Sequence, residues 1–199
     1  QVLLAVIASM YAVYHGPAGL ERIARRVNLM TSILAKGLAL HGIKPINSNW
    51  FDTLTFDTGS RTSAILQAAE TGKINLRRID ENTLGISLDE TVTRKEISDL
   101  WTIFIGEHQL QVDQLAVDII DSIPGDIQRT DDFLSHPTFN RYHSETEMLR
   151  YLRKLSDKDI ALDRAMIPLG SCTMKLNATA EMLPITWPEF ACMHPFAPN

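Results

Sequence analysis

Cysteine is scarce in this sequence, with only Cys172 and Cys192 among 199 residues. Two thiols make no disulfide framework, which excludes a small cross-linked secreted scaffold and points to a reducing compartment. Basic tracts are missing as well. With 19 Lys and Arg against 24 Asp and Glu, the net charge is −5, and nothing neutralises a phosphate backbone, so no nucleic-acid partner is expected. Arg22, Arg25 and Arg26 read instead as the solvated face of a helix. Long apolar runs are lacking too: the longest, Val2 to Ala8, breaks at Ser9, is too short to cross a bilayer and follows no basic region, so no membrane partner is expected. Cys172, Cys192 and His194 have none of the close C-x-x-C or H-x-x-x-H spacings that preorganise a metal site, and no metal is expected. No internal repeat is visible.

What remains is a globular composition, 45% hydrophobic and 22% charged, long enough for one domain or one and a half. Gln1 to Tyr14 has no breaker before His15-Gly16-Pro17 and reads as the end of a helix apolar nearly all round, hence buried. Pro17 opens a second helix, with Leu20, Ile23, Val27, Met30, Leu34 and Leu38 at three- and four-residue steps and Gly42 placed to end it. Trp50 to Asp57 predicts a strand with Leu54 and Phe56 on one face. A helix from Thr62 to Thr71 is ended by Gly72, and strands follow over Ile74 to Ile79 and Leu84 to Leu88. Thr93-Arg-Lys-Glu96 is a capping box that launches a helix to Ile105, stopped at Gly106. This order implies an α/β chain, more closely an α+β layer of a small sheet covered by helices. Val112 to Ile120 suggests a short helix, and Pro124, Gly125 and neighbouring aspartates mark a connecting region. A second capping box, Ser144-Glu-Thr-Glu147, predicts a helix to Leu155 with Met148, Leu152 and Leu155 inward. Pro184, Pro188, Pro195 and Pro198, with Trp187 and Phe190 among them, predict an extended segment.

The most chemically loaded stretch is Met166-Ile-Pro-Leu-Gly-Ser-Cys-Thr-Met-Lys-Leu-Asn177. Pro168 and Gly170 resist regular structure, which puts Ser171, Cys172 and Thr173 on a tight turn where backbone N–H groups and short hydroxyls can converge on one anion. Lys175 adds a positive charge and Asn177 a two-way hydrogen-bonding amide, a cradle suited to phosphate or carboxylate. An ordinary loop capping a helix from Asn177 to Met182 is the competing reading, and the chemistry alone leaves both open. His143 stands just before a helix N-terminus, where an imidazole can meet a ligand or simply cap or fill the core. Cys172 has no local partner that would make it a nucleophile, and His15-Gly16-Pro17 is most simply a helix break.

The wording of the long stretch resembles the signature at the junction of the two halves of the glycine cleavage system P protein family. Tyr11-Ala-Val-Tyr-His-Gly-Pro17, Phe139-Asn-Arg-Tyr-His-Ser-Glu-Thr-Glu-Met148 and Met182-Leu-Pro-Ile-Thr-Trp-Pro-Glu-Phe190 resemble that family too. The resemblance covers essentially the whole chain, and members extend well beyond it on both sides, so it implies an internal fragment; the start at Gln1, without Met, suits a cut segment. It implies an aminotransferase-like fold of the pyridoxal-phosphate-dependent transferases. Residues 1–108 would then be the small α+β domain of the first half, 109–143 a connector, and 144–199 the start of the second half. The implied cofactor is pyridoxal 5'-phosphate. The implied reaction is glycine decarboxylation, with the pyridinium ring as electron sink and the aminomethyl group passed to the lipoyl arm of the H protein. The partners implied are glycine, the H protein, the other half of the same enzyme and a second copy in a dimer, in the mitochondrion of a eukaryote or the cytoplasm of a bacterium. Ser171, Cys172, Thr173, Lys175, Asn177 and His143 become candidates for binding cofactor or substrate. The family's Schiff-base lysine follows a histidine and precedes a glycine-rich stretch, whereas none of the six histidines here precedes a lysine. Lys175 belongs to the signature, so this chain by itself is expected to be inactive. A non-catalytic interaction module is the alternative from another class, and an unrelated anion-binding α+β domain would apply only if that resemblance were set aside; neighbouring sequence with His-Lys and a glycine run would decide.

Overall fold

Helix α1, Val2–Leu40, is interrupted at Gly16, whose φ of 60° and ψ of −179° lie outside helical space. Pro17 follows at once, where its fixed φ and missing N–H suit a helix start. The computed structural model describes residues 1–117, 119, 123–158, 180 and 183–194. The chain divides into two compact units, Pro17–Phe133 and a second made of Gln1–Gly16 with Leu134–Asn199.

The first unit is the α+β layer. Strands β1 (Thr53–Asp57), β2 (Arg77–Arg78) and β3 (Thr83–Ser87) form an antiparallel sheet in the order β1-β3-β2. Leu54 lies opposite Ile86 and Phe56 opposite Leu84, all four buried, so the two-residue period of the sequence becomes one apolar face. Helices α2 (Thr62–Thr71) and α3 (Arg94–Ile105) and the C-terminal part of α1 join that face in a single core. Trp101 is its largest fully buried side chain. Its indole N–H donates to the Leu34 carbonyl at 3.2 Å. The free edge of β1 is covered by residues 46–47: Ile46 N–H donates to the Thr55 carbonyl, and the Asn47 amide accepts from Thr55 N–H and donates to the Thr53 carbonyl. Side chain and loop thus stand in for a fourth strand.

Gly42 ends α1 as expected, at φ 81°. Ile43 N–H donates to the Leu38 carbonyl and Gly42 N–H to that of Ala39, the bond pair of a Schellman motif, with Leu38 and Ile43 both in the core. At α2 the same pair runs from Ile74 to Ala69 and from Lys73 to Glu70. Its left-handed residue is Lys73, at φ 57°, rather than Gly72. Ile74 is drawn into that cap, which shortens the strand expected from Ile74 to Ile79 to Arg77–Arg78. The Thr93–Glu96 capping box is complete in both directions. Arg26, expected on a solvated face, donates to the Glu90 and Val92 carbonyls and ties down the loop leading into α3. A short α4, Val112–Ala116, ends before the expected Ile120.

In the second unit three expectations need correction. The first segment of α1 is helical but not buried: Val2, Leu3, Leu4, Val6 and Ile7 are exposed, because no described residue covers them. Helix α5, Glu145–Ser156, starts where predicted, with the Ser144 hydroxyl accepting from Glu147 N–H. Leu152, however, is exposed, and Met148 and Leu155 are only half-buried. The segment after Pro184 is not extended over its described part. Leu183–Thr186 forms a 3-10 turn and Pro188–Ala191 a single helical turn, α6, since a proline at the first helical position starts a turn as readily as it ends one. Pro195 and Pro198 lie outside the described residues.

α1 is also long and apolar enough to pass for a membrane span by length and composition. Core helices pass that test too, and from Met30 to Leu38 α1 is a core element of the first unit.

Candidate functional site

The described part of the candidate site is built where two sequence-distant motifs of the second unit meet. Tyr14 and His15 lie in the last turn before the break at Gly16. The short 3-10 helix Pro137–Asn140 and the residues that follow it carry Phe139, Tyr142 and His143 to the same place. The His143 Nδ1 lies 2.7 Å from the Tyr14 carbonyl oxygen. A carbonyl can only accept, so Nδ1 carries the proton in this contact.

Gly16 explains how the imidazole gets there. A Cβ at this position would stand 2.5 Å from His143 Cε1, 2.5 Å from the Phe139 carbonyl oxygen and 3.2 Å from His143 Nε2. The backbone conformation is itself one that only glycine adopts without strain. Both requirements fall on one residue. The helix therefore breaks at Gly16 with a ring seated in the notch, a role that the His-Gly-Pro wording does not disclose.

Aromatic rings gather around the notch. All four tyrosines of the sequence belong to this unit. Tyr11 and Tyr14 lie 4.3 and 5.2 Å from the His15 ring. The buried Tyr142 stacks on Tyr151 of α5 at 4.3 Å, and the Arg141 guanidinium lies over the Tyr142 ring at 5.6 Å. That stack pins the residue beside His143, whereas His143 itself is exposed. It is neither the cap of α5, a part taken by Ser144, nor a core residue.

Of the residues singled out from sequence, His143 is the one the structure describes; Ser171, Cys172, Thr173, Lys175 and Asn177 lie outside the described residues. Sequence reasoning passed over Gly16 and the Tyr14 carbonyl as site elements. The available signal was a glycine set between a histidine and a proline in an otherwise unbroken apolar helix. Among the described residues no group of three or more His, Cys, Asp and Glu is arranged to hold a metal ion.

Comparison with known proteins bears on the whole chain. The curated relatives include the glycine dehydrogenase (decarboxylating) of Variovorax paradoxus, 59% identical, and those of Paraburkholderia phytofirmans and Paraburkholderia xenovorans, each 56% identical. Each alignment covers all of this chain and 21% of the relative, so the chain spans about a fifth of their length. The family described as glycine cleavage system P-protein matches residues 1–104 of the 199, just over half. By that match the chain belongs to the glycine cleavage system P-protein family.

Proposed function

We propose that this chain is part of an enzyme that decarboxylates glycine and passes the aminomethyl group to the lipoyl arm of an H protein, using pyridoxal 5'-phosphate. The observation that carries this reading is 59% identity, along the entire chain, to a protein named glycine dehydrogenase (decarboxylating). The α+β unit Pro17–Phe133 is then the body of the small domain of an aminotransferase-like fold, and the residues from 144 onward open the second half of the enzyme.

The described residues do not by themselves fit the cofactor. Its aldehyde needs a lysine amine that is unprotonated, which proteins achieve by desolvation or a neighbouring cation. Lys44, Lys73, Lys95, Lys154 and Lys158 are exposed and Lys36 is half-buried. No step through the cofactor is derived from these groups, and the reactive lysine is assigned to the rest of the longer polypeptide. The chain's own part is binding. His143 contributes a seated imidazole, and the stretch from Ser171 to Asn177 contributes donors and one cation for a carboxylate or phosphate.

Two measurements test this. Incubated with pyridoxal phosphate and then borohydride, the chain alone should yield no stoichiometric adduct; a specific adduct at Lys175 would contradict the assignment. In the full-length enzyme, Lys175→Met keeps much of the aliphatic stem and removes the charge. It should weaken glycine or cofactor binding on the order of tenfold, about the worth of one charge-assisted hydrogen bond, with the melting temperature unchanged. A lowered melting temperature with intact glycine kinetics would make the stretch a structural loop.

A further inference from the structure

We propose that the segment from Val2 to His15 is an interior helix of the longer polypeptide, taking apolar cover along two opposite stripes from elements of that polypeptide outside this chain. This rests on the reading of the chain as part of a longer enzyme, and goes beyond it in naming a helix that the rest of the enzyme packs around and the sides it packs on. At about 100° per residue, Val2, Val6 and Val13 share one stripe, while Leu4, Ile7 and Tyr11 share another centred about 150° away. Along the first, Val13 is 3% exposed, Val6 46% and Val2 79%, so cover that is complete near the break at Gly16 gives out towards the start of the helix. Along the second, Leu4 is 69% exposed and Ile7 54%. Leu3 is exposed on one arc between the stripes, and Ala5 and Ala8 on the other. No Asp, Glu, Lys or Arg precedes Glu21, so no arc of this segment is built to face water. Ser9, the one polar side chain from Val2 to Met10, donates its hydroxyl to the Val6 carbonyl at 2.8 Å and is already satisfied for burial.

Three occupants could cover such a helix, and its geometry selects one. A second copy of this chain, paired about a two-fold axis, would seat the same stripe of each helix on the other and leave the opposite stripe bare. A lipid surface suits the composition of α1, yet from Val2 to the break after His15 the helix is about 20 Å long, short of the roughly 30 Å of a hydrocarbon core. A surrounding fold covers opposite arcs at once. The alignments supply the material for it, since they take in all of this chain but 21% of each relative.

The test puts a thiol on each stripe. In Leu4→Cys and Val6→Cys, a maleimide read by mass at the introduced cysteine should react freely in this chain. In the folded full-length enzyme both positions should react on the order of 100-fold more slowly, because reaction there waits on local opening. Fast labelling at both would overturn the proposal, and protection at one position only would overturn cover from two sides. Protection that develops in this chain alone as its concentration rises, or on adding phosphatidylcholine–phosphatidylglycerol vesicles, would assign the helix to a second copy or to a lipid surface and overturn the proposal likewise. Should either substitution unfold the full-length enzyme, amide exchange in the unsubstituted proteins decides: the amides of Val6 to Met10 should exchange about 100-fold more slowly in the full-length enzyme than in this chain, and equal rates would overturn the proposal. Release of carbon dioxide from glycine is read separately. Fast labelling in a full-length protein that decarboxylates glycine would sink the interior helix alone, whereas protected thiols in one that does not would uphold the helix and remove the functional reading.

Discussion

At the scale of single residues, glycine and left-handed backbone coincide at Gly16 and Gly42 but part at the end of α2, and that mismatch is testable. At the end of α2 the left-handed position belongs to Lys73, while the adjacent Gly72 has an ordinary φ of −76°. A side chain at Lys73 bears the steric penalty of that conformation, typically about 1 kcal/mol, so Lys73→Gly should stabilise the fold by up to about that amount, read as a higher urea midpoint with unchanged slope. Gly72→Ala should be close to neutral, because its Cβ would meet only carbonyl oxygens at 3.4 Å and one methyl at 3.7 Å. Gly37 is the opposite case. It sits in α1 with ordinary helical backbone, yet a Cβ there would fall inside the indole of Trp101. Alanine at a helix interior gains about 1 kcal/mol over glycine, whereas overpacking a filled core costs about 1–3 kcal/mol. The indole is held by its bond to Leu34, so the cost should reach the upper end, leaving Gly37→Ala destabilised on the order of 1–2 kcal/mol; a stabilised variant would show that the core yields there.

At the scale of elements, what the sequence disclosed was whatever local rules decide. The bounds of α2 and α3, the alternation of Leu54 with Phe56 and of Leu84 with Ile86, the Thr93–Glu96 box and the Gly42 stop all follow from period, cap and turn chemistry within a few residues. Where a neighbour distant in sequence decides, the reading failed or was silent. Ile74 is a local exception, taken from strand to cap by its bond to Ala69 at the end of the same helix. Arg26 stays exposed, as read, but its bonds to carbonyls 64 and 66 residues away were not legible. The notch at Gly16 has meaning only with His143 in it, a partner whose carbonyl contact is 129 positions from Tyr14. The cap of α3 shows how local chemistry translates into stability: Thr93→Ala should cost about 1 kcal/mol and speed amide exchange at Glu96, whose N–H the Thr93 hydroxyl receives. Just upstream, the Thr91 hydroxyl, and then the Thr91 and Val92 N–H groups, hold the Asp89 carboxyl below its ordinary value. A depressed carboxylate contributes stability that is present above its unfolded pKa and is lost as pH falls through the folded one. The contribution should therefore vanish only below about pH 4, and Asp89→Asn should flatten the acid limb of the stability curve there without altering its shape near neutrality.

At the scale of the whole molecule the two units are unequally supplied with core. The unit from Pro17 to Phe133 buries Trp101, Phe56, Leu34, Leu38 and Ile97 almost completely. Among the described residues of α5, by contrast, none is buried. Holding one residue in a single backbone conformation costs about 1–2 kcal/mol, and α5 offsets that cost with its cap, the surface ion pairs Arg150–Glu147 and Arg153–Asp157 and the Tyr142–Tyr151 stack. Surface pairs of that kind add at most a few tenths of a kcal/mol each. Amides of Glu145–Ser156 should therefore exchange far faster than those from Ile23 to Leu38, by factors that report local opening rather than global unfolding. The same unit exposes Val2, Leu3, Leu4 and Ile7 at one end of the sequence and Ile185, Trp187, Phe190 and Met193 near the other. A chain that spans 21% of its relatives leaves such surface to be covered by the remaining four-fifths. This chain alone should accordingly enhance the fluorescence of an apolar-surface dye, and the full-length protein should do so less per mole while protecting the α5 amides. Equal dye response in the two, together with α5 amides already as protected in this chain as those of Ile23 to Leu38, would mean that the second unit is held by its own contacts and needs no cover from the rest of the polypeptide.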